Sequence, residues 1–230
     1  MQMAENTNNI YELRFYSVEA GRDRDMRARV QNDLKWLFPR HGIRPVGGWS
    51  ALAAPELPLF VYITPFTDMI ERDRCWTGFY TDPDWQEVRK RTNAGSELVE
   101  DYQIWFVREI VGWTQPAAIQ GGLDELIFFK TLVGKSAVAG GALRESELPA
   151  LERSGAVVQG AFDVVSGGTL PGAMAFLRWP NWEARRTGLA ALADDAALAD
   201  RRASERREFG HSLIGRTGSY LLDPVTVDWD

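Results

Sequence analysis

The chain has very little of what holds metals or builds disulfide frameworks. Its 230 residues include one cysteine and two histidines. A single cysteine, Cys75, excludes an intrachain disulfide. His41 and His211 are far apart in sequence and no cysteine lies near them. Zinc-type sites favour clustered His and Cys ligands, so no metal is expected. Basic excess is also missing: the net charge is −6 and the pI about 5.1. A general nucleic-acid binder needs a basic patch to displace counterions, so no nucleic-acid partner is expected. No apolar run approaches the roughly 18 residues of a membrane helix, and the polar start lacks an apolar signal core. The expectation is a cytoplasmic protein with no membrane partner. There is no Gly-rich phosphate loop, no CxxC pair, no HExxH and no Gly-x-Ser-x-Gly elbow.

What is present is an internal repeat. Tyr11-Glu12-Leu13-Arg14-Phe15-Tyr16, closed by Gly21, returns as Asp124-Glu125-Leu126-Ile127-Phe128-Phe129, closed by Gly134, at an offset of 113 residues. The same offset maps His41-Gly42 onto Ser154-Gly155, and Gly47-Gly48-Trp49 onto Gly160-Ala161-Phe162. Thr77-Gly78 falls on Thr187-Gly188 only with the register changed to 110. Two units of about 100 residues lie near the modal domain size.

Within the first copy, Ile10 to Val18 reads as a strand. Met26, Val30, Leu34, Leu37 and Phe38 form a helical stripe between Asp23 and Arg40. Gly42 stands where a left-handed C-terminal cap is favoured. Val46 to Leu52 and Leu59 to Phe66 follow as strands. Asp68 to Ala94 is helical with a break at Asp82-Pro83, and Glu97 to Glu109 is a last strand. The second copy repeats this order. The expected fold class is α+β: two tandem ferredoxin-like βαββαβ units, over 8–110 and 123–228, joined by a linker at 111–122. The second unit is the degenerate one.

Side chains alternate faces along a strand. The apolar residues Leu13, Phe15, Val61 and Ile63 are expected under the helices. Arg14, Tyr16 and Tyr62 then point to an open sheet face, with Trp105 on the same face. A bare face of this kind would be a large apolar patch, so the two antiparallel sheets are expected to face each other and enclose a space.

The Tyr11-to-Tyr16 run resembles the NIPSNAP family. So do the helix ending Pro39-Arg40-His41-Gly42, the Val46-Gly47-Gly48-Trp49 strand, the segment Asp68 to Arg74 and the turn Thr81-Asp82-Pro83-Asp84-Trp85-Gln86. The resemblance covers about Ile10 to Arg108. Copy two is weaker: it carries Ser154 for His41 and Ile127 for Arg14, and lacks the Asp-Pro-Asp-Trp turn. The resemblance implies a tandem, pseudo-dimeric member of the dimeric α/β-barrel superfamily. That superfamily includes cofactor-independent monooxygenases, haem enzymes, isomerases and ligand binders.

The candidate catalytic residues are Arg14, Tyr16, His41 and His211. An arginine aimed into an apolar cavity needs a carboxylate or a ligand. Arg14 therefore either pairs with Glu12 or Glu125, or binds a substrate oxygen while Tyr16 and Tyr62 donate hydrogen bonds. His41 either caps its helix or acts as an acid or base. Trp49, Tyr62, Trp105 and Phe129 are candidate walls of a substrate site. Arg178 is expected at its rim or on the surface. The functional expectation is a small-molecule enzyme without a cofactor, acting on a hydrophobic, aromatic substrate by acid/base chemistry. Isomerase, lyase, cyclase and oxygenase all remain open. The alternatives are a non-catalytic ligand binder and a haem-binding barrel using His41 or His211. A homodimer is also open.

Overall fold

The computed structural model describes residues 9–115 and 121–229. Part of the expected linker, 116–120, lies outside the described residues. Eight antiparallel strands follow one another as β1-β3-β2-β8-β5-β7-β6-β4, a closed barrel. The chain divides into two compact units, one holding the residues up to Arg108 and those from Pro224 on, the other Glu109–Asp223.

In the first unit β1 (Ile10–Val18) lies between β3 (Leu59–Phe66) and β4 (Val99–Val111), and β2 (Gly47–Ala53) pairs with β3. The register sets Arg14 beside Tyr62 on one side and Ile104 on the other. The helix expected from Asp23 is α1 (Asp23–Arg29), which runs through a π-helical stretch, Val30–Leu34, into α2 (Lys35–Arg40). Gly42 follows with φ 77°, the left-handed conformation that glycine adopts without a Cβ clash. Helices α3 (Met69–Thr81) and α4 (Pro83–Asn93) begin at Asp68 and Asp82. Each carboxylate accepts a backbone N–H of its helix's first turn, from Glu71 and from Asp84 respectively, which replaces a hydrogen bond the helix cannot make internally. Met26, Leu34, Phe38, Trp76 and Phe79 pack against Phe60 and Tyr62 to form this unit's core under the helices. The C-terminal residues join it: Val225 N–H donates to the Gly48 carbonyl at 2.8 Å, and Trp229 stacks on Phe38.

The second unit repeats the plan. β5 (Leu123–Thr131) pairs with β7 (Gly172–Trp179) and β8 (Ile214–Pro224), and β6 (Val157–Ser166) pairs with β7. α5 (Ser136–Ala142), a π-helical Leu143–Glu147 and α6 (Leu148–Arg153) match the first unit's helical run. Asn181 and Asp195 cap α7 (Trp182–Ala193) and α8 (Ala196–Phe209). These caps stand 113 residues after Asp68 and Asp82. The expected slip to 110 is therefore absent, because Gly78 corresponds to Ala191 and not to Gly188. Ile127, Phe129, Ala175, Leu143, Leu151 and Trp179 belong to this unit's core.

The face assignment of β1 and β3 is the reverse of the expected one. Arg14, Tyr16 and Tyr62 lie under the helices, against residues of α2 and α3. Leu13, Phe15, Val61 and Ile63 occupy the other face and are buried too. Ile127 and Phe129 are likewise helix-facing. The physical reason is that both faces are buried. Polarity contrast along a strand locates the core only when one face meets water, and here Leu13 and Arg14 are 0% and 1% exposed. Tyr102 and Phe106 on β4 also face the helices.

Candidate active site in the first unit

The reversal puts Arg14 at the centre of a polar cluster inside an apolar layer. Its guanidinium lies over the Trp76 ring, 3.6 Å from the centroid. Its Nε donates to Glu12 Oε1, and Arg72 donates to the other oxygen of the same carboxylate. Nη1 donates to the Tyr16 hydroxyl at 2.9 Å and to the Tyr80 hydroxyl at 3.0 Å. The Tyr16 and Tyr62 hydroxyls share a hydrogen bond of 2.8 Å. Glu12 and Arg14 are each 1% exposed. A buried ion pair must recover a large desolvation cost, and extra hydrogen bonds are how it does so. Burial by itself would lower the Arg14 pKa. Tyr62, Tyr16, Glu12 and Tyr80 together outweigh it and raise the value, so Arg14 is a fixed cation. Burial, reinforced by Tyr16, raises the pKa of both Tyr62 and Tyr80, with Arg14 opposing. These phenols stay neutral and can donate.

A cavity of about 370 Å³ opens beside this cluster. Tyr16, Tyr80 and Tyr102 line it, with Trp76, Phe79 and Trp85 forming an aromatic wall. Tyr80 and Tyr102 are 45% and 56% exposed, and with the exposed Gln86, Arg89 and Glu97 they border the cavity's opening. The size falls within the roughly 300–1,000 Å³ of small-molecule sites. Tyr80 accepts from Arg14, and its own proton has no acceptor among the described residues. It is a donor available to an occupant.

The second unit is an internal control. At the equivalent positions Arg14, Tyr16, Tyr62, Trp76 and Tyr80 become Ile127, Phe129, Ala175, Leu189 and Ala193. The carboxylate and its helix arginine persist: Glu125 bonds Arg185 at 2.7 and 2.9 Å, as Glu12 bonds Arg72. The Arg40–Asp82 pair persists as Arg153–Asp195. The scaffold therefore keeps those two pairs and dispenses with the arginine–tyrosine cluster.

The other sequence candidates fall elsewhere. His41 bonds Asp82 through Nε2 at 2.6 Å and does not line this cavity. His211 is exposed in the segment before β8. Trp49 is buried on β2 beside Val61, on the face opposite Tyr62, and Trp105 packs on Phe15, on the face opposite Arg14. Phe129 is in the core of the second unit. Arg178 is not at a rim: it is buried and bonds both oxygens of Asp124 at 2.7 and 2.8 Å. The sequence reading missed Trp76 and Tyr80. Arg72, Trp76 and Tyr80 are spaced four apart, which puts them on one face of α3. That spacing was the available signal. Among the described residues no group of His, Cys, Asp and Glu could hold a metal ion. No described helix is long and apolar enough to cross a membrane.

The topology is that of the dimeric α/β-barrel fold, in a single tandem chain. A proposed monooxygenase from Lactobacillus acidophilus NCFM has the same fold (TM-score 0.62, 12% identity, 95% of each chain covered). So has a proposed monooxygenase from Fusobacterium nucleatum (TM-score 0.59, 7% identity, 96% of this chain and 94% of that one). An anthrone oxidase-like protein also matches (TM-score 0.54, 8% identity, 96% and 93% covered). At the level of sequence, residues 11–107 match the NIPSNAP family profile, which confirms the resemblance over the first unit. No curated protein sequence matches the chain.

Proposed function

We propose that the first unit is a small-molecule enzyme that binds an aromatic, hydroxylated or keto substrate in its helix-side cavity and stabilises the substrate's oxyanion. The observation that carries this is the Arg14–Tyr16–Tyr62–Tyr80 cluster, of which Tyr16 and Tyr80 line the cavity, in a fold whose second copy does without it. Tyr16 and Tyr80 each accept from the guanidinium, which strengthens them as donors toward an enolate or phenolate oxygen. Donors aimed at developing charge in a water-poor site are typically the largest catalytic contribution.

The fold neighbours named above favour an oxygenase among the cofactor-independent reactions. Loss of a proton from an acidic ring methylene, to water at the Tyr80–Tyr102 mouth, leaves a carbanion whose charge rests on the bound oxygen. That electron pair forms a C–O bond to dioxygen, giving a peroxide that takes up one proton. Loss of the remaining C–H proton, with hydroxide leaving from the O–O bond, gives a ketone and water. One methylene and one dioxygen become one carbonyl and one water, so no external reductant is needed. The test is dioxygen uptake with an anthrone, a ketone bearing such a methylene. Enzyme-dependent uptake with one quinone per dioxygen supports the reading. Binding without turnover leaves a ligand-binding protein, and absence of binding overturns it.

A further inference from the structure

The cavity has a second cation whose position the oxyanion reading does not use. Arg29, on α1, lines the cavity and is 5% exposed. Its Nε donates to the Thr92 hydroxyl at 2.8 Å and its Nη2 to the Asn93 side-chain oxygen at 2.6 Å. Both acceptors are neutral. The carboxylates in its surroundings are engaged elsewhere: Asp33 by Arg91, and Glu97 by Arg89 and Asn93. A buried guanidinium without an anion is costly, since its charge has left water with no opposite charge in return. Its pKa falls to about 10, through burial first and the repulsion of Arg22 second, against the pull of Glu97. The second unit again acts as the control, because Ala142 stands at the equivalent position and the helix forms without the arginine.

Arg29 and Arg14 are connected by a row of rings. The Arg29 guanidinium lies 5.7 Å from the Trp85 ring centre. Trp85 is 4.6 Å from Phe79, Phe79 is 5.7 Å from Trp76, and Trp76 lies under Arg14. The apolar wall thus runs from one buried cation to the other, and both Trp76 and Trp85 line the cavity. Among its lining residues Arg29 and Arg89 outnumber the one carboxylate, Glu97.

We propose that the ligand is an aromatic acid, whose carboxylate meets Arg29 while its ring oxygen meets Tyr16 and Tyr80. A flat ring system spanning the Trp85–Phe79–Trp76 wall would place an anionic group at one end and a hydroxyl or carbonyl oxygen at the other. The carboxylate would supply the charge that Thr92 and Asn93 lack. This rests on the reading that the cavity binds an aromatic molecule at all.

The test compares two probes by quenching of tryptophan fluorescence at pH 7: 2-naphthol, and 6-hydroxy-2-naphthoate, which adds the carboxylate. The acid is expected to bind at least about tenfold more tightly, a hydrogen-bonded ion pair being worth about 1.5–3 kcal/mol. Arg29→Met should remove that preference while leaving 2-naphthol binding within about twofold. Arg29 also ties α1 to α4, so Thr92→Val with Asn93→Ala is the second variant. It breaks the tether, keeps the charge and should retain the preference for the acid. Equal binding of both probes overturns the inference and leaves the cavity reading standing. So does a preference that survives Arg29→Met. If neither probe binds, the cavity reading fails and this inference with it.

Discussion

Replacing Tyr80 with phenylalanine separates a catalytic cluster from a structural one. The exchange removes one hydroxyl, which accepts from Arg14 Nη1 at 3.0 Å. Arg14 keeps Tyr16 at 2.9 Å and its carboxylate partner Glu12. The ring keeps its stack on Trp76, with centroids 5.5 Å apart. Tyr80 is 45% exposed, so water can replace part of what is lost. A hydrogen bond to a charged group is worth about 1.5–3 kcal/mol when buried, and less to folding at this half-exposed site. To a bound anion the same hydroxyl is worth about 1.5–3 kcal/mol. One pKa unit is about 1.4 kcal/mol. A phenol bound in the cavity should therefore have its pKa lowered by the protein, and Tyr80→Phe should raise that bound pKa by about one to two units. The assay is an absorbance titration of 7-hydroxycoumarin, whose phenolate absorbs apart from the phenol, in excess protein. Urea denaturation of both proteins supplies the stability comparison. An unchanged bound pKa in the variant would refute the donor role. A stability loss above about 3 kcal/mol would show that the hydroxyl serves the fold.

Glu12→Gln removes the one carboxylate shared by Arg14 and Arg72 and should destabilise by about 3–5 kcal/mol, as for other broken buried pairs. Urea midpoints of this variant and Glu125→Gln should both fall, and a neutral result at Glu12 would contradict the network. Asp82 has its pKa held below the ordinary carboxylate value, first by the His41 hydrogen bond and against the cost of burial. A depressed pKa contributes stability above about pH 3.9, which is lost as pH falls through the folded value. Asp82→Asn keeps an acceptor for the α4 N-terminus, so its stability deficit should shrink between pH 6 and pH 3; a gap independent of pH would refute this. For Tyr62 burial, with Tyr16, raises the pKa well above its ordinary value against the pull of Arg14. Folding then favours the protonated form, so stability should decline as pH rises past about 10. Tyr62→Phe should flatten that decline, and an equally steep one would contradict the assignment.

Local features were legible in the sequence. The strand Ile10–Val18, the cap at Gly42 and the break at Asp82-Pro83 each depend on a few neighbouring residues, and the structure has all three. The asymmetry between copies was legible too, because Arg14 and Tyr16 against Ile127 and Phe129 is a comparison of sequence with sequence. The faces of β1 and β3 were not. Alternation reports which side meets water, and neither side of Leu13-Arg14-Phe15 does. The cavity was not legible either, since it exists only where the helices from α1 to α4 lie over β1 and β4. Arg29 gave no local sign: an arginine at the end of the charge-rich stretch Asp23-Arg24-Asp25-Met26-Arg27-Ala28-Arg29 reads as a solvated helix face until Thr92 and Asn93 are seen against it.

The most direct measurement is a crystal structure of the protein with a hydroxylated naphthalene bound. The account predicts the ring system against Trp76, Phe79 and Trp85, with its hydroxyl oxygen within hydrogen-bonding distance of Tyr16 and Tyr80. A ligand bound elsewhere, with the cavity empty or closed by its own side chains, would contradict it.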